Sequence, residues 1–88
     1  MKVFTKQPRD HLDYDIDLSG WMTSGDGVQS LEVIAPDGIE VTRTGYGPDR
    51  VKVWISGGTS GQSYKFSVLI HTDSRIKEVD FMMIVQEM

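Results

Sequence analysis

Val51-Lys52-Val53-Trp54-Ile55-Ser56-Gly57-Gly58-Thr59-Ser60-Gly61-Gln62-Ser63-Tyr64-Lys65-Phe66-Ser67-Val68-Leu69-Ile70 is the stretch that decides the fold. On both sides of a glycine-rich break, apolar residues fall on every second position. Val51, Val53 and Ile55 point one way, and Lys52, Trp54 and Ser56 the other. Beyond the break, Tyr64, Phe66, Val68 and Ile70 share a face. A period of two is the signature of a strand with one face buried. Gly57–Gly61 between the two runs is expected to be a hairpin turn, with Thr59 and Ser60 as a contact tip.

The same alternation recurs outward from this stretch. Tyr14, Ile16 and Leu18 are the inward residues of an upstream strand that carries Asp15 and Asp17 on its other face. A strand from about Val28 to Ala35 places Leu31 and Val33 together, and Ile39–Arg43 alternates again. Downstream, Ile76–Gln86 has Val79, Phe81, Met83 and Val85 on its inner phase. Turn chemistry separates the runs: Thr23–Gly27, Ala35-Pro36-Asp37-Gly38, the loop around Gly45, Gly47 and Pro48, and a hairpin at Thr72–Arg75. No segment shows an apolar stripe at helical spacing, and Ser19–Met22 holds one helical turn at most. Short strands with regular turn signals predict an all-β sandwich or barrel. Six strands are clear, and Val3-Phe4-Thr5 is expected as a seventh along an edge. The predicted core is Val51, Val53, Ile55, Tyr64, Phe66, Val68, Phe81 and Val85.

Length and composition bound the rest. The chain has 88 residues with no cysteine and a formal net charge of −4. One domain over residues 1–88 is expected, with residues 1–12 as a partly ordered N-terminal arm. The acidic balance argues against a nucleic-acid partner, and no apolar run is long enough for a membrane span. The N-terminal residues lack the apolar core of a secretory signal. Disulfides, cysteine-ligated zinc and cysteine nucleophiles are excluded.

Catalytic constellations are missing from the pattern. His11 and His71 have no ligand or catalytic partner at a recognised spacing, and no Gly-x-Ser-x-Gly element is present. Gly57–Gly61 lacks the Gly-Lys-Ser/Thr ending of a phosphate loop. Asp13, Asp15 and Asp17 fail the EF-hand pattern, because Leu18 and Ser24 stand where Gly and Glu belong. They read as one outer face of a strand, mutually repulsive unless a Lys or Arg lies across the ladder. A calcium site there is the lesser alternative.

Exposed apolar residues are the better candidates. Trp54, out of phase with its core neighbours, is an anchor for a partner or a sugar ring, or else packs under the Tyr46 loop. Met82 and Ile84 form a stripe on the second face of the last strand. That stripe is either an interface at an unguarded strand edge or is covered by the segment around Phe4. Trp21 is expected to plug one end of the core. The candidate partner-binding residues are thus Trp54, Tyr46, Thr59, Ser60, Met82 and Ile84, with no catalytic, cofactor or metal residue.

Several segments together resemble a family of small virion proteins of tailed phages and prophages. They are Gln7-Pro8-Arg9-Asp10, Leu12-Asp13-Tyr14-Asp15-Ile16-Asp17, Trp21-Met22 with Gly25-Asp26-Gly27, and Val33–Ile39. Val51–Tyr64 and Ile70–Arg75 complete the set. The most specific part is Trp54-x-Ser56-Gly57-Gly58-Thr59-x-Gly61-x-x-Tyr64. Thr72-Asp73-Ser74-Arg75 departs from a Gly-Arg turn frequent in that pattern, and the chain is somewhat shorter than it. The resemblance covers nearly the whole chain and is to proteins of the fiber–tail adaptor type. It implies an immunoglobulin-like antiparallel β-sandwich of six to seven strands and a non-catalytic structural role. The implied partners are other virion proteins or further copies of the chain. Assembly in the bacterial cytoplasm and residence in the virion follow from the same resemblance. A carbohydrate-binding or adhesion module using the exposed aromatics is the alternative.

Overall fold

The computed structural model describes residues 1–87. Among the described residues, seven strands follow one another without a helix: β1 (Lys2–Lys6), β2 (Leu12–Asp17), β3 (Val28–Ile34), β4 (Ile39–Gly47), β5 (Arg50–Gly57), β6 (Ser63–Thr72) and β7 (Ile76–Val85). They form a four-stranded sheet in the order β1-β7-β6-β3 and a three-stranded sheet in the order β2-β5-β4. All pairings are antiparallel except β1 with β7, which run parallel. Only β4–β5 and β6–β7 are hairpins; every other connection crosses between the sheets. This division of strands is that of an immunoglobulin-like sandwich, with the first strand placed beside the last.

Alternation explains why the layers meet. Val51, Val53 and Ile55 of β5 are fully buried against Phe66, Val68 and Ile70 of β6 and Phe81, Met83 and Val85 of β7. The rings of Phe66 and Phe81, paired across the β6–β7 ladder, stack at 4.8 Å. Phe4 meets Phe81 edge-on at 5.5 Å and Tyr14 at 5.2 Å, so β1 adds its own aromatic to the core. Each such side chain contributes about 1.5–3 kcal/mol through burial. Tyr64, expected inside, is half-buried and packs against the cluster from its rim.

Four expectations are corrected. The Gly57–Gly61 segment is not a hairpin turn; it carries the chain from the three-stranded sheet to the four-stranded one. Gly58 sits at φ +93°, and a Cβ there would fall 2.7 Å from the Cγ2 of Val85, so only glycine fits the crossing. The loop expected around Gly45, Gly47 and Pro48 is largely strand, because β4 continues to Gly47 and only Pro48 and Asp49 turn. Their carbonyl oxygens accept the amides of Val28 and Leu18, which locks this turn onto the β2–β3 connection. The last strand is not an edge either: β7 lies between β1 and β6. Finally, Trp21 is outside the core cluster. Met22 packs against that cluster instead, and Trp21 is overlaid by Arg75 at 3.8 Å and Lys77 at 5.1 Å.

Candidate interaction site

The outer surface of the three-stranded sheet is built by register. Across its strands, Asp13 lies beside Trp54 and Trp54 beside Arg43; Asp15, Lys52 and Gly45 form the next row, and Asp17, Arg50 and Gly47 the third. Arg43 shares this face only because β4 is bulged between Val41 and Arg43. Val41 pairs with core residue Ile55, Thr42 is the extra residue, and the phase then shifts so that Arg43 meets Trp54.

Two of the three aspartates find the cation they require. Lys52 Nζ lies 3.1 Å from Asp13 Oδ2 and 3.7 Å from Asp15 Oδ1. The hydrogen bond from Lys52 holds the Asp13 carboxyl below its ordinary value, and the same bond, with the charge of Asp15, raises the Lys52 ammonium. Asp17 instead accepts the backbone N–H of Ser19 at 2.9 Å, which lowers its pKa in turn. These carboxylates are spent on the lysine and the turn. Among the described residues, no group of three or more His, Asp or Glu side chains is arranged to hold a metal ion.

Trp54 is on this outer face, as its phase predicted, but one of its ring faces is already covered. The Arg43 guanidinium stacks 4.2 Å from the ring centroid, and the Lys52 ammonium lies at 5.7 Å. Such cation–aromatic stacking fixes an otherwise mobile side chain. Beside the ring, a depression of about 220 Å³ is lined by Gly45, Tyr46, Gly47, Arg50, Lys52 and Trp54. It exists because β4 presents two glycines where side chains would otherwise stand opposite Lys52 and Arg50. Tyr46 is 52 % exposed, yet its hydroxyl donates to the Gln29 carbonyl at 2.6 Å and ties β4 to β3.

The remaining candidates lie elsewhere. Met82 and Ile84 are half-buried on the outer face of the four-stranded sheet, with Val3 paired beside Met82. Phe4 does not cover them; it points inward to Phe81. Thr59 and Ser60 are exposed at the inter-sheet crossing, where the Thr59 amide donates to the Tyr64 hydroxyl at 2.9 Å. Trp54 and Tyr46 both line the depression, but Tyr46 pairs with core residue Val51 and so lies on the other phase of β4, its hydroxyl turned to β3. Met82 and Ile84 occupy the outer face of the other sheet, and the Thr59–Ser60 tip one end. His71 lies on the outer face of β6, 3.6 Å from Glu32, and His11 meets Thr42 at 2.6 Å.

Two polar residues escaped the sequence reading. Lys6 is 2 % exposed and donates to the carbonyls of Gln7 and Gly57, both at 2.6 Å. Desolvation lowers its pKa against the opposing charges of Asp10 and Tyr64. Its inward phase, two residues after Phe4, was a signal available in the sequence. Asp26 Oδ2 accepts from the hydroxyls of Thr72 and Ser74 at 3.0 Å each and lies 3.5 Å from Arg75 Nε. Burial pushes this carboxyl up, but its hydrogen bonds from Thr72, Ser74, Gly27 and Arg75 outweigh that and leave it below the ordinary value.

No curated protein and no solved structure shows a significant match to the chain. A family model does: residues 6–84 match the podophage GP4 fiber-tail adaptor protein gp77. With nearly its whole length matched, the chain belongs to the podophage GP4 fiber-tail adaptor gp77 family.

Proposed function

We propose that this protein is a non-catalytic building block of a podophage virion that joins neighbouring tail and fibre proteins through its sheet surfaces. The observation that carries the reading is the match to a fiber-tail adaptor family over residues 6–84. An adaptor of this size works by presenting surface. A suitable one is the outer face of the four-stranded sheet, where Val3 is 54 % exposed beside Met82, with Ile84 on the same strand. Apolar side chains on an uncovered sheet are the usual core of a protein–protein interface. A cysteine-free domain also suits assembly in a reducing host cytoplasm, since its stability needs no disulfide. Contacts of this kind, repeated over several copies, add up even when each is weak.

The test uses the parent phage. Particles assembled with Met82→Lys and Ile84→Thr should lack the protein by mass spectrometry, while the isolated variant keeps the melting temperature of the parent. Incorporation at the normal level would reject this face as the contact. Absence of the unaltered protein from purified particles would reject the virion role altogether.

A further inference from the structure

We infer that the Gly45–Gly47 depression, together with Arg43 and Arg50, is a docking site for an acidic segment of a partner protein. The site lies on the sheet opposite Met82 and Ile84, so it stands or falls separately from the interface proposed there.

Three features support it. First, Arg43 carries an unspent charge: among the described residues it makes no ion pair, and its guanidinium rests on Trp54 at 4.2 Å. A planar guanidinium held on an aromatic face presents its N–H fork outward at little further entropic cost, and that fork matches a carboxylate. Second, the surface beside it is concave for a reason written into the strand. Ideal Cβ atoms at Gly45 and Gly47 would lie 3.6 Å from Trp54 Cζ3 and 3.7 Å from Arg50 Cγ, so ordinary side chains would fit there and fill the hollow. Third, the cations are arranged unequally. Lys52 is occupied by Asp13 and Asp15, whereas Arg50 makes only a loose, exposed contact with Asp49 at 3.7 Å. Arg50 faces Asp17 across the β2–β5 ladder without an ion pair to it, the Asp17 carboxylate being held by the Ser19 amide. Arg43 and Arg50 therefore flank the hollow as the available pair, one strand apart across β4–β5.

The charge of the whole chain sharpens the reading. At −4 the protein repels polyanions in general, so an acidic ligand that binds must be meeting a local cationic site. The hollow, at about 220 Å³, admits one or two side chains rather than a folded element. An extended stretch with Asp or Glu beside an apolar residue has the matching chemistry, its carboxylate on Arg43 and its apolar neighbour against Trp54.

The experiment is fluorescence anisotropy of a labelled hexaglutamate peptide titrated with the full chain at low salt, beside hexaglutamine and oligothymidylate. Hexaglutamate should bind, release as salt is raised, and perturb the Trp54 indole resonance. Arg43→Gln and Gly45→Val should each weaken binding about tenfold or more, as expected for loss of a charged hydrogen bond or of the cavity. Lys65→Gln, on the other sheet, should leave it unchanged. Arg43→Gln alters only an exposed side chain and keeps the test decisive whatever Gly45→Val does to the fold. The proposal is overturned if hexaglutamate does not bind. It is equally overturned if Lys65→Gln weakens binding as much as Arg43→Gln, or if oligothymidylate binds as well as the peptide.

Discussion

The ammonium of Lys6 lies 2.6 Å from the carbonyl oxygen of Gly57, joining the end of β1 to the end of β5 on the opposite sheet. The same group reaches Gln7 O at 2.6 Å and Pro8 O at 3.4 Å, so it serves the chain where it leaves one sheet and where it crosses back. A lysine this buried is stable only because backbone carbonyls replace its water. Lys6→Met keeps most of the volume and removes every donor. We expect it to cost about 1–3 kcal/mol in urea denaturation, from carbonyls left without partners. An unchanged midpoint would show that water takes over the role of the ammonium.

Asp26 predicts how the fold responds to acid. Its folded pKa lies below the ordinary 3.8, so its stabilising effect is fully present above that value and is lost as pH falls through the lower folded one. Asp26→Asn should therefore melt below the parent near neutrality, and the gap should narrow once the pH drops under 3.8. Thermal melts followed by circular dichroism across that range check this. A gap independent of pH would mean that the carboxylate charge is irrelevant to the hairpin at Thr72–Arg75.

Phe66 is the most direct test of the core. Fully buried and stacked on Phe81, it sits where β6, β7 and β5 converge. Phe66→Ala should cost about 3–5 kcal/mol in equilibrium unfolding, a large part of what a small domain possesses. A parent-like melt would contradict the strand phase on which the core rests.

Gly58 and Gly20 form a matched pair. A Cβ at Gly58 would meet Val85 at 2.7 Å and stand on a backbone at φ +93°, whereas nothing lies within 4 Å of one at Gly20. Gly58→Ala should destabilise by about 1–3 kcal/mol. Gly20→Ala should be near neutral, and differential scanning calorimetry of the two variants separates crossing geometry from a general intolerance of glycine replacement. Equal losses at both positions would refute the steric account.

Much of this architecture was legible in the residues. Alternation in Val51–Ile55, Tyr64–Ile70 and Val79–Val85 marked the buried faces, because a strand turns successive side chains to opposite sides and only one side of each sheet meets the other. Seven of the eight predicted core residues are fully buried or nearly so, and Tyr64 falls short because it caps the rim, where its hydroxyl accepts the Thr59 amide. The need for a cation opposite Asp13 and Asp15 was also readable, although nothing in the sequence named Lys52 as the residue in register.

Tertiary structure alone decided how the strands are distributed and what the outer faces carry. Local periodicity says which way a side chain points, but not which strand lies beside it; that depends on how the crossings close two sheets over a common core. So β7 became an interior strand through its parallel pairing with β1, and the glycine-rich break became a crossing rather than a hairpin. The bulge at Thr42 had the largest effect on the candidate site. One extra residue reversed the phase of β4, brought Arg43 over Trp54, and set Gly45 and Gly47 beside them as a hollow. Residues eleven positions apart in the chain, Arg43 and Trp54, acquired a shared surface only because cross-strand register, not sequence spacing, determines which side chains meet.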